Sequence, residues 1–118
     1  MIIGSITENT KQEKRIAVTP DIIKKYKSLG FEVYLCKDYA IHLGISDKEY
    51  IEAGASIHSS DEVISNSNAI LQMNIPDKEN LNKLKKDQIL IGVLNPYSNE
   101  QTLKELASKD ISCFSLEL

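Results

Sequence analysis

Six short apolar runs, separated by helix-patterned polar segments, limit what this chain can become more than any other feature of its sequence. The runs fall at residues 2–6, 31–36, 55–58, 69–73, 88–94 and 111–116. Strands that alternate with helices through short links need crossover connections, and such crossovers are right-handed almost without exception. The chain is therefore expected to be a three-layer α/β domain. Its sheet should be largely parallel, Rossmann- or flavodoxin-like, with about six strands and helices on both faces. The run Phe31-Glu32-Val33-Tyr34-Leu35-Cys36 is nearly continuous in apolar residues, as a strand covered on both sides should be.

Cap chemistry places the helix starts. Thr19 can cap a helix whose first residue is Pro20, where a missing N–H costs nothing. Ile22, Ile23, Tyr26 and Leu29 then share one side, and Gly30 suits the stop. Ser46 with Glu49, Ser59 with Glu62 and Ser98 with Gln101 are capping-box pairs. They open helices running through Ala53, to about Asn66, and across Leu103, Leu106 and Ala107. Residues 77–86 are expected to form another helix with Leu81 and Leu84 inward, and residues 37–45 a loop. No covering helix follows the last run, so the 118 residues are expected to be part of a longer chain or a module completed by another.

Charge and composition exclude several classes. The formal net charge is -3, with no strongly basic face, which argues against a nucleic-acid partner. The lysine clusters at 24–27 and 83–86 are expected to be solvated helix faces. Cys36 and Cys113 lie inside apolar runs without metal-ligand spacing and are expected to be reduced, buried thiols. His42 and His58 stand apart from each other and from the cysteines, so no zinc pattern exists and no metal is expected. No apolar run approaches the ~20 residues of a transmembrane helix, and no signal-peptide pattern precedes the first strand. Any membrane link is expected to come through a partner.

The five glycines form neither G-x-G-x-x-G nor a P-loop. The chain is thus Rossmann-like in rhythm without a dinucleotide fingerprint. What remains is a set of polar residues at the expected C-terminal ends of strands. Arg15 lies beyond the first, Asn74 past the fourth and Asn95 past the fifth. Ligands collect outside those ends in open parallel sheets. A guanidinium there can hold a carboxylate or phosphate through two parallel hydrogen bonds. Equally, Arg15 can bridge a loop carboxylate such as Glu8 or Glu13, and asparagines before turns serve local backbone bonds.

Several blocks together resemble a known family. Ile2-Ile3-Gly4, Glu8 and Glu13-Lys14-Arg15-Ile16-Ala17-Val18-Thr19-Pro20 are similar to the amino-terminal signature of the alanine dehydrogenase and nicotinamide nucleotide transhydrogenase α-subunit family. Leu29-Gly30-Phe31-Glu32-Val33, Tyr50-Ile51-Glu52-Ala53-Gly54-Ala55 and residues 69–76 fit in order, so the resemblance spans essentially the whole chain. Alanine dehydrogenases carry a substrate-contacting lysine where this chain has Asn74 and a catalytic histidine where it has Asn95. Asn74, Pro76, Pro96 and Asn99 match the transhydrogenase branch better. Two departures stand out: Lys37-Asp38-Tyr39-Ala40 where the family has Ser-Gly-Ala-Gly, and Gln72 where both branches have lysine.

The resemblance implies a hydride-transfer protein. The chain would be the amino-terminal domain, residues 1–118, of the NAD(H)-binding component of a proton-translocating NAD(P) transhydrogenase. NADH bound to the full-length component would pass hydride to NADP on a partner component, coupled to proton movement through a membrane component. The cofactor fingerprint is expected downstream of Leu118, so the fragment alone should be inactive. Arg15, Asn74 and Asn95 would be cleft-rim residues. The full-length form is expected to be a homodimer on the cytoplasmic side of the membrane, held there by partner subunits. The competing readings are a fragment of an alanine dehydrogenase-like amino-acid dehydrogenase and a non-catalytic α/β binding module.

Overall fold

The computed structural model describes residues 1–116. Strands β1 (Ile2–Ser5), β2 (Glu32–Cys36), β3 (Ser56–His58), β4 (Ala69–Gln72), β5 (Ile89–Gly92) and β6 (Ser112–Ser115) form one sheet. Their order is β3-β2-β1-β4-β5-β6, and all neighbours are parallel. This is the doubly wound, Rossmann-like order, and it reverses between β1 and β4. The connecting helices are α1 (Pro20–Ser28), α2 (Asp47–Ala53), α3 (Ser60–Asn66), α4 (Lys78–Leu81) and α5 (Glu100–Ser108). A 3-10 turn at Ile41–Leu43 interrupts the expected loop.

Two cores follow from the strand alternation. Val33 and Leu35 point to one face, where Ile23 of α1 and Tyr50 of α2 bury against them. Cys36 points to the other, where Val63 and Ile64 of α3, Leu81 of α4 and Leu106 of α5 join Ile70 and Leu90. Right-handed crossovers dictate this division: connections running outward from β1 lie on one face, and those reaching β4, β5 and β6 lie on the other. The α1/α2 face of β5 and β6 is therefore left bare by its own connections. Ile91 pairs with Phe114 across that half, and Phe114 and Leu116 are 56% and 53% exposed.

Gly4 marks where α3 presses on β1. A Cβ there would meet the side chains of Ser67 and Val63. Gly54, at φ 115°, ends α2 in the left-handed region that favours glycine.

The caps hold at Thr19, at Ser46 and, as a complete capping box, at Ser59–Glu62. Four expectations fail. The helix expected over 77–86 stops at Leu81, because buried Gln88 accepts from the Lys85 N–H and donates to the Ile64 and Ser67 carbonyls. Leu81 and Leu84 are nevertheless buried. Ser98 does not cap α5. Asn99 stands at that position, and its amide is drawn back to the carbonyls of Leu94 and Asn95. Leu29 and Ala107 are exposed rather than inward. Cys36 is buried as expected, but Cys113 on the edge strand β6 is only half-buried.

Candidate functional site

The reversal point between β1 and β4 is where an open sheet offers a crevice. The two strands pair only at Ile3–Ala69 and Gly4–Ile70, then part. The Gln72 side chain fills the gap. Its Oε1 accepts from the Ile6 N–H at 2.7 Å, and its Nε2 donates to the Ile6 carbonyl at 3.1 Å, as a strand backbone would. Nε2 also donates to Glu8 Oε2 at 2.8 Å. Glu8 in turn accepts from the backbone N–H groups of Met73, at 2.8 Å, and Asn74, at 3.2 Å. Burial pushes the Glu8 carboxyl above its usual range despite these bonds.

Two tyrosines fasten the loop that follows β1. The Val18 N–H donates to the Tyr39 hydroxyl at 3.3 Å, and the Tyr50 hydroxyl donates to the Val18 carbonyl at 2.8 Å. The Tyr39 hydroxyl also lies 2.8 Å from Ser5 Oγ. Both rings are fully buried and meet edge to face, 5.7 Å apart at 84°. Burial pushes Tyr39 up to about 12 and Tyr50 higher still, so both hydroxyls stay neutral at ordinary pH. Nearer the loop's start, His42 Nε2 donates to the Lys14 carbonyl at 2.9 Å.

Between those anchors, Arg15 grips Glu13. Its Nε reaches Glu13 Oε2 at 3.0 Å, its Nη2 reaches Oε1 at 2.8 Å, and its backbone N–H reaches Oε2 at 2.9 Å. The hydrogen bonds from Arg15 hold the buried Glu13 carboxyl down at about 2, and Glu13 raises the guanidinium in return. Of the carboxylates the sequence offered, Arg15 takes Glu13.

The three rim candidates do not share one cavity. Arg15 and Asn95 line a space of about 460 Å³ with Pro96, Tyr97 and Leu116. Asn74 lines a separate one of about 130 Å³ with Glu8, Asn9, Gln12 and Gln72. Asn95 sits exposed at φ 46°, its carbonyl turned to the N–H groups of Ser98 and Asn99. Asn is among the few side chains that tolerate that region. Among the described residues, no three His, Cys, Asp or Glu side chains are placed to hold a metal ion. No described helix is long and apolar enough to cross a membrane.

Sequence reasoning missed the roles of Gln72, Tyr39 and Tyr50. Gln72 and Tyr39 stand at the two departures from the family pattern, and that was the available signal.

The strand order and the chain as a whole have counterparts among known proteins. Residues 4–118 match the family described as alanine dehydrogenase/PNT, N-terminal domain. The chain belongs to this family. Within it, the first-part polypeptide of NAD(P) transhydrogenase subunit alpha from Rickettsia prowazekii is 33% identical, over 99% of this chain and 32% of that protein. Alanine dehydrogenase from Methanococcus maripaludis is 31% identical, over 99% of this chain and 32% of the enzyme. The crystal structure of transhydrogenase from Sinorhizobium meliloti superposes with a TM-score of 0.90 at 26% identity, covering 98% of this chain and 34% of that one. This alanine dehydrogenase/PNT amino-terminal domain thus spans about a third of each of these three relatives.

Proposed function

We propose that this chain is the amino-terminal domain of the NAD(H)-binding component of a proton-translocating NAD(P) transhydrogenase. The observation that carries the reading is the pair of amides Asn74 and Asn95 at the ends of β4 and β5, with the nearby guanidinium of Arg15 already given to Glu13. An amino-acid dehydrogenase needs a cation for its substrate's carboxylate and a group that moves a proton. An amide side chain supplies neither. Hydride transfer between two nicotinamide cofactors asks instead for orientation and a water-poor cleft.

On this reading the cofactor is gripped by a second domain of the same polypeptide. The present domain walls the cleft with Arg15, Asn95 and the exposed Tyr97 on one side and Asn74 on the other. NADP(H) sits on a partner component, and proton movement belongs to membrane partners on whose cytoplasmic side the assembly lies. The same rim serves as a wall without taking part in covalent chemistry.

The test is a two-arm assay of the natural polypeptide that carries this domain. One arm offers NADH and an NADP analogue to the assembled components, the other alanine and NAD. Transfer to the analogue without alanine oxidation supports the reading. Robust alanine oxidation rejects it in favour of the dehydrogenase branch, and inactivity in both arms favours a binding module.

A further inference from the structure

Where β1 and β4 part, the chain fills its own crevice with a charge. Glu8 is 7% exposed, and its two oxygens take three donors. Gln72 Nε2 and the Met73 N–H both reach Oε2 at 2.8 Å, and the Asn74 N–H reaches Oε1 at 3.2 Å. Successive backbone N–H groups turned toward one point form an anion-binding concavity, and the end of a strand at the reversal point is where an open sheet presents such groups to ligands. Here they are already satisfied from within. The charged and titratable groups facing Glu8 are Glu13, Arg15 and Tyr39. Arg15 is engaged by Glu13, so neutral donors do most to balance the Glu8 charge.

We propose that Glu8 is the positioning residue of the cleft: its carboxylate is an internal anion that occupies the Met73/Asn74 donor pair, closes the β1–β4 crevice and fixes Asn74 at the rim. Ligand is thereby directed to the larger cavity on the Arg15 side. The word rim rests on the cleft reading given above. The internal anion stands on geometry alone and is tested without any cofactor.

Glu8→Ala removes the anion and leaves its donors. Formate, added at constant ionic strength, should refill the site and raise the melting temperature of Glu8→Ala saturably, by roughly 4 °C or more, while leaving the native protein unchanged. In amide NMR spectra the Met73 and Asn74 resonances should move in Glu8→Ala and return with formate. They should move less in Glu8→Gln, which keeps one accepting oxygen. A Glu8→Ala protein whose melting temperature and two resonances ignore formate overturns the proposal. Should Glu8→Ala not fold, the native protein decides. The Met73 and Asn74 amides should shift with the same midpoint as the Glu8 carboxyl, above 4.5. Amide shifts independent of that carboxyl contradict the proposal. Failure of the hydride-transfer assay would leave all of these outcomes as they are, so the two readings fail separately.

Discussion

Arg15 closes on Glu13, two residues before it, through both edges of the fork: Nε to Oε2 at 3.0 Å and Nη2 to Oε1 at 2.8 Å. The guanidinium remains 57% exposed while the carboxylate is nearly buried, so the pair presents its cation outward. A residue that looks like an anion clamp in the sequence is, in the fold, half of an ion pair that shapes its own loop.

That pair has a pH signature. Glu13 titrates near 2 in the folded chain against 4.5 when free. A carboxyl with a depressed folded pKa contributes stability that is complete above the unfolded value and is lost as pH falls through the folded one. Denaturant titrations of the native protein and of Glu13→Gln should therefore converge as pH drops from about 4.5 toward 2. The buried Glu8 acts with the opposite sign, because its carboxyl is raised, in part by the Glu13 charge, so both proteins are compared in a Glu8→Gln background that removes this titration. A stability difference that stays constant across this window would contradict the assignment.

Tyr39 and Tyr50 hold the same residue by opposite ends of its backbone. Tyr50→Phe leaves the buried Val18 carbonyl without its donor, and Tyr39→Phe leaves the Val18 N–H without its acceptor. Each should cost about 1–3 kcal/mol, the range for a stranded buried polar group. The double variant should lose less than the sum, since the first loss already frees the loop. Urea denaturation measures both, and additive losses would mean that the two bonds act independently.

Gly4 is set by packing and not by backbone conformation. Gly4→Ala places a methyl group against Val63 and Ser67 and should destabilise by about 1–3 kcal/mol through overpacking. Gly4→Ala combined with Ser67→Gly should recover part of that loss, because the Ser67 side chain is the first thing the methyl meets. No recovery would place the clash on the Val63 side chain, the other group the methyl meets.

The sheet was legible because its signal is local and repeated. Runs such as Val33–Leu35 alternate toward two cores, and caps such as Ser59 with Glu62 announce their helices. What failed depends on contacts far apart in sequence. Gln88 ends α4 by bonding to Ile64 and Ser67, and Asn99 displaces Ser98 as the cap by reaching back to Leu94. The candidate site was half legible. Strand-end logic pointed to Arg15, Asn74 and Asn95 as rim candidates, but could not show that they divide between two cavities. Nor could it show that Glu8, 64 residues from Gln72, shares a buried bond with it. Strand pairing alone sets such relationships, and no window along the chain contains them.

On the proposed reading, this domain walls a nicotinamide cleft without gripping the cofactor: Arg15 is already bound to Glu13, and Asn74 and Asn95 are amides. Calorimetric titration of this chain with NADH decides the matter. No saturable binding is expected in the micromolar range. A Kd near 1 μM, about -8 kcal/mol, would show that the chain carries a cofactor site of its own and would overturn the reading of this domain as a wall.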